Sequence, residues 1–186
     1  MHKRWLVALA IPGLVGLYNV DALIGYQKFA RLCDQEGGSK FRASVDKSVG
    51  WEAISEDPST YQIPLKFGHA SFVKFSGKNG QSLEALEKAG TEVQAKRYDA
   101  VPADATNIPR YRLTIKQGLL PDDRRISKTR FEVLDLRLAT LVASHTYFSY
   151  AWADPDRVVL GAPTSSTCHS GAETDAFFET IHTSAR

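Results

Sequence analysis

The sequence predicts an α+β domain: an antiparallel β-sheet of five to seven strands with flanking helices on one side, preceded by an N-terminal transmembrane or signal helix. Three observations predict it. A basic start is followed by an apolar run from Trp5 to Leu17. In the second half, Tyr111, Leu113 and Ile115 alternate with Arg112, Thr114 and Lys116, and β-branched and aromatic residues dominate from Ile126 to Trp152. A capping-box spacing, Ser170-Gly-Ala-Glu173, opens a helix-like stretch near the C-terminus. A chain of 186 residues fits one core, and 43% apolar with 24% charged residues is ordinary globular usage. The formal charge of +2 and the pI near 8.5 lack the basic excess that nucleic-acid binding usually leaves, so no nucleic-acid partner is expected.

Lys3 and Arg4 stand before the apolar run, and no charge follows until Asp21. This is the layout of an export signal: basic residues stay on the cytoplasmic side while the apolar segment partitions into the bilayer. Taken as a helix, Trp5 to Tyr26 spans about 33 Å, enough for a hydrocarbon core near 30 Å. Residues 1–26 are therefore expected to be a membrane anchor or signal peptide and 27–186 a periplasmic α+β domain, held on the periplasmic side of the inner membrane. The alternative is cleavage near Ala22, which leaves a soluble periplasmic or secreted protein.

Along the exported part, Leu23, Tyr26, Phe29, Ala30 and Cys33 recur at helical spacing, and Gly37-Gly38 ends that helix. Phe41, Ala43 and Val45 alternate as in a strand, and Val49–Ile54 reads as another. Tyr61 to Phe75 is ambiguous, with a strand suggested by Phe67, Phe72, Val73 and Phe75. Leu83, Leu86 and Ala89 share a helical face, so a short helix is expected over Gln81–Ala89, then a strand over Thr91–Tyr98 and a loop over Asp99–Pro109. Tyr111–Lys116 is a strand with one wet face. Ile126 to Trp152 is too long for one strand and must fold back near Arg137–Thr140, giving a hairpin of Ile126–Leu136 and Leu141–Trp152 whose turn lacks central Gly, Asn or Asp. The last helix is expected over Gly171–His182, with Ala176, Phe177 and Ile181 buried and Phe178 at the margin.

Two cysteines, Cys33 and Cys168, sit near opposite ends of the exported part, and an even count in an oxidising compartment favours a disulfide between them. Cys168-His169, beside a helix start, is an adjacent nucleophile and base, but catalytic pairs are normally assembled by the fold from distant positions. The five histidines lack the spacing of a metal site, and His145 inside a strand reads as a satisfied histidine; neither metal nor cofactor is expected. Arg110, Arg112 and Lys116 are expected on one strand face, with Arg124, Arg125, Lys128 and Arg130 close behind. Between residues 110 and 137 eight Lys or Arg stand against four Asp or Glu, an excess of four, which suits contact with an anionic surface as well as a solvated strand.

Tyr26-Gln-Lys-Phe29-Ala-Arg-Leu-Cys33, Val45 to Trp51, Arg130-Phe-Glu-Val-Leu-Asp135 and Leu141 to Tyr150 together resemble a loose group of short bacterial proteins with an N-terminal apolar segment. The resemblance implies an exported, envelope-associated protein and carries over no functional residue. The function expected from the sequence is a non-enzymatic envelope protein whose periplasmic domain contacts another envelope protein or the envelope surface. A small periplasmic enzyme centred on Cys168 and His169, or a small-ligand binding module, are the alternatives.

Overall fold

Alternating apolar residues build the sheet. A computed structural model describes residues 20, 22–54, 58–77, 79–87, 98–152 and 165–183. Nine strands run β1 Gly38–Phe41, β2 Val49–Ile54, β3 Ala70–Ser76, β4 Ser82–Glu87, β5 Tyr98–Pro102, β6 Tyr111–Leu120, β7 Asp123–Asp135, β8 Thr140–Ala151 and β9 Ser165–Cys168. The described helices are α1 at 22–36, α2 at Gln62–Lys66 behind a 3-10 turn at Pro58–Tyr61, and α3 at Ala172–Thr180. The strands form one sheet in the order β1-β8-β7-β6-β2-β3-β4-β5, with β9 beside β1 on the same edge of β8.

This corrects the expected fold class. The domain is mostly β, with nine strands in place of five to seven, and the sheet is mixed, because β2 runs parallel to both β3 and β6. Nor do the helices share one side. Phe131 opposite His145 and Val133 opposite Ala143 face α3, whereas Ile126 opposite Tyr150 and Lys128 opposite Phe148 have the other parity and face α1. Two cores result. Trp51, Leu65, Val73, Tyr111, Leu113, Phe131, Phe177 and Phe178 fill the first, under α2 and α3. Phe29, Cys33, Ile126, Phe148 and Tyr150 fill the second, under α1. Each large apolar side chain so buried stabilises the fold by about 1.5–3 kcal/mol.

The expected transmembrane or signal helix is also corrected. No helix among the described residues is long and apolar enough to cross a membrane. Residues 22–26 instead belong to α1, which runs unbroken across the boundary expected after residue 26 and packs on the sheet. The Tyr150 hydroxyl donates to the Ala22 carbonyl at 2.6 Å, and Tyr26 stacks on Trp152 at 4.7 Å between ring centroids. The apolar run at 5–17 lies outside the described residues.

Several element assignments change for physical reasons. The helix expected over Gln81–Ala89 is strand β4, because β3 and β5 bond it on either side and override a three-residue periodicity. Most of the strand expected at 91–98 lies outside the described residues; β5 begins at its last residue, Tyr98, and runs to Pro102 through what was expected to be loop. The capping box at the start of α3 does not form. Gly171, at φ +60, is the N-cap without a side-chain bond, since Glu173 accepts from His169 Nδ1 at 2.6 Å. Phe177 and Ile181 are buried as expected, whereas Phe178 is buried too and Ala176 is exposed, the reverse of what was expected of those two.

Candidate anionic-surface interface

Among the described residues, the α1 face of the sheet is covered at both ends and open between them. At one end α1 lies over Ile126, Phe148 and Tyr150. At the other the segment 103–109 reaches over β3 and β4: Lys74 Nζ donates to the Asp104 carbonyl at 2.6 Å, and Asn107 Nδ2 to the buried Glu84 at 2.8 Å. Between these covers β6 and β7 present Lys116, Gly118, Lys128, Arg130 and Glu132, which line an open groove with Gln117 and Leu119.

Register sets this cluster. Lys116 stands opposite Arg130 and Gly118 opposite Lys128 on the neighbouring strand. Like charges directly opposite are destabilising. Glu132 relieves the conflict by accepting from Lys116 Nζ at 2.8 Å and lying 2.9 Å from Arg130 Nε, and Lys128 reaches Glu36 of α1 at 2.6 Å. Three cations therefore meet one carboxylate within the groove and a second at its margin. Gly118 leaves the floor bare: a Cβ there would touch nothing within 4 Å. Leu119, 60% exposed, adjoins the groove, its side chain alternating to the other face of the sheet. A second open depression beside it is lined by Ile24, Gln27, Lys28, Arg31, Leu32 and Gln35 of α1.

The other basic residues named from the sequence sit elsewhere or are engaged. Arg110 precedes β6; its guanidinium pairs with Asp46 and lies 3.6 Å from the buried Asp135. Arg112, on the groove face, donates from Nε to Glu52 at 2.6 Å. Arg124 and Arg125 lie at the start of β7, away from the groove lining, and the Arg125 backbone N–H donates to Asp123. Sequence reasoning found the cations and missed Gly118, Leu119 and the carboxylates of Glu52 and Glu36, which come from remote elements; the alternation that places Glu132 beside Arg130 was a usable signal.

Cys33 and Cys168 form a disulfide, joining the last turn of α1 to β9 across a sequence separation of 135. The sulfur that would serve a Cys168–His169 centre is thus bonded. Among the described residues no group of three or more His, Cys, Asp or Glu is placed to hold a metal. Two histidines are buried in polar contacts. His145 accepts from Ser39 Oγ at Nδ1 (2.9 Å) and donates from Nε2 to the His169 carbonyl (2.7 Å), as a satisfied histidine should. His69, adjoining β3, donates from Nε2 to the Phe178 carbonyl. Burial pushes both below the ordinary histidine value of 6.5.

No family model matches the chain, and no curated protein matches it. Among solved structures it is similar to a PelC dodecamer from Paraburkholderia phytofirmans, at 12% identity over 78% of this chain and 95% of that one, with a TM-score of 0.30. A likeness at that level fixes neither fold nor function.

Proposed function

We propose that this domain works outside the cytoplasm and docks through the β6–β7 groove on an anionic membrane surface, without a catalytic role. The observation that carries the reading is the convergence of Lys116, Lys128 and Arg130 on an open strip of sheet that carries one carboxylate in its lining. Glu132 offsets only part of the repulsion between Lys116 and Arg130, since it sets one carboxylate against two cations. Anionic headgroups reverse that sign, each Lys or Arg near such a surface contributing about 1 kcal/mol. Ile24 of α1, 62% exposed, gives this side of the domain an apolar point that can enter the interfacial layer.

Two features support the location. A disulfide persists in oxidising compartments and is rare in the cytosol. The basic start and apolar run at the N-terminus have the layout of an export signal. The openness of both depressions suits a broad surface better than a small ligand, which calls for an enclosed site.

Co-sedimentation of the oxidised protein with phosphatidylglycerol–phosphatidylcholine vesicles tests the proposal against phosphatidylcholine alone. Binding is expected to the anionic vesicles only, weakening steeply between about 50 mM and about 500 mM salt as screening shortens the reach of the charges. The variant Lys116→Gln, Lys128→Gln, Arg130→Gln, with its fold checked by circular dichroism, should lose about tenfold or more of that affinity. Equal binding by the triple variant, or none by the parent at low salt, would sink the reading.

A further inference from the structure

Helix α3 is held down at both ends by buried histidines from two different parts of the sheet. Near its start, His145 of β8 is fully buried; its Nε2–H points at the His169 carbonyl at 2.7 Å and lies 3.1 Å from Thr174 Oγ1 in the first turn. Near its end, His69, 1% exposed, donates to the carbonyl of Phe178. In each bond Nε2 carries the proton and donates, as it does in the neutral ring and the imidazolium alike; what acid adds is a second proton on the buried Nδ1, which carries none in the neutral ring. Between the two clamps Phe177 stacks on Phe41 and on the His145 ring, both at 5.4 Å, and Phe178 stacks on Phe67 at 5.5 Å.

We infer that α3 is an acid-released strap: protonation of His69 and His145 loosens both ends, and the helix swings out about residues 169–171 while the Cys33–Cys168 bridge keeps its base on the sheet. The apolar surface beneath, with Phe41, Phe67 and Phe131, is then uncovered. This inference does not rest on the groove or on its partner.

His69 is the stronger trigger. Its Nδ1 is buried without a partner, and the His182 ring packed against it at 5.6 Å also buries an unpartnered Nδ1. The remaining groups around it offer a new proton nothing: Trp51 and Phe67 are rings, Lys47 is a cation, and Lys66 of α2 pairs with Asp175 of α3 at the surface, 3.6 Å away. Burial lowers its pKa most, His182 and Lys47 lower it further, and the bond to Phe178 opposes them. His145 is cushioned. Ser39 of β1 can turn its hydroxyl to accept, and Glu173 of α3 offsets part of the burial, while His169 adds to it and Phe131 of β7 supplies only a ring. For both rings the folded value lies below the ordinary 6.5, so the released state takes the proton first. The docking of α3 is therefore at full strength above about pH 6.5 and is lost as pH falls through that value towards the folded ones.

Release is local because α3 is short. Nine residues cannot hold a helix in water without tertiary support, whereas β6, β7 and β8 share a continuous antiparallel ladder. The hinge is ready made, with His169 at φ +58 and Gly171 at φ +60 directly after the disulfide.

Native-state hydrogen exchange on the full oxidised chain tests this. Between about pH 7.5 and about pH 5, protection factors over 172–180 should fall about tenfold or more while those in β6–β8 hold. His69→Gln and His145→Gln each keep an N–H donor near the Nε2 position without a titrating ring, and the double variant should keep its α3 protection across that range. Ring titrations of the wild type by NMR cover the case of a variant that does not fold: both rings should titrate below 6.5, with helix protection lost in step. Unchanged α3 protection, a fall shared with the sheet, an equal fall in the double variant, or a ring titrating at or above 6.5 would each overturn the strap.

Discussion

The glycine pair that ends α1 does so for two separate reasons. Gly38 sits at φ +85, a backbone region in which side chains are strained. Gly37 is needed for space: a Cβ there would lie 2.5 Å from the Cys33 carbonyl oxygen and closer still to the His169 ring. Gly37→Ala should therefore push α1 off the disulfide junction and lower stability by about 2–3 kcal/mol in urea unfolding, a loss typical of overpacking against backbone. A loss below about 0.5 kcal/mol would mean that the junction is loose. The pair was legible as a helix stop, since glycine favours that position, but the reason for Gly37 was not, because His169 comes from the far end of the chain. The capping box at Ser170 failed for a local reason: the His169 ring, four residues before Glu173, takes its carboxylate.

At the scale of elements, long strands were legible and short ones were not. β6, β7 and β8 hold ten or more residues each, and alternation over 111–116 with the β-branched and aromatic run over 126–152 made the hairpin and its reversal stand out before any partner was known. β4 did not stand out, since Leu83, Leu86 and Ala89 fit a helix turn as well as a strand, and only the pairings to β3 and β5 decide. The reversal also explains its missing turn residue. Asp135 stands just before the turn and accepts from the backbone N–H of Arg137 at 2.9 Å and of Leu138 at 3.1 Å, while Ala139 takes the left-handed conformation at φ +52. Ala139→Gly removes a steric penalty without losing a contact and should stabilise the protein by about 1 kcal/mol. Asp135→Ala leaves two turn N–H groups without their acceptor and Arg110 without its buried partner, and should cost about 2–3 kcal/mol. Thermal unfolding of the two variants beside the parent checks both signs; a destabilised Ala139→Gly would contradict the account of this turn.

The whole molecule is organised by contacts between residues far apart in the chain, which no local pattern announces. Parallel pairing of β2 with both β3 and β6 makes the sheet mixed, and the carboxylates that engage the basic face, Glu52 and Glu36, arrive from other elements. The basic face itself was legible, because its cations come from two adjacent strands joined by a tight turn. The disulfide is the longest-range of these links and was legible from an even cysteine count together with the expectation of an oxidising compartment. It closes a loop of 135 residues that includes β1 to β8, so in the chain-entropy model it restricts nearly the whole unfolded ensemble and contributes up to about 5 kcal/mol. Domains of this size are commonly stable by about 5–15 kcal/mol, so the bridge is a large share of the total. The double variant Cys33→Ser, Cys168→Ser should lose about 2–5 kcal/mol in urea unfolding, with its slope steepened because the unfolded chain, freed of the crosslink, exposes more surface. Adding reductant to the parent should reproduce that curve. A double variant that unfolds at the parent's urea midpoint would show that α1 and β9 hold their places by packing alone, through Phe29, Phe148 and Tyr150.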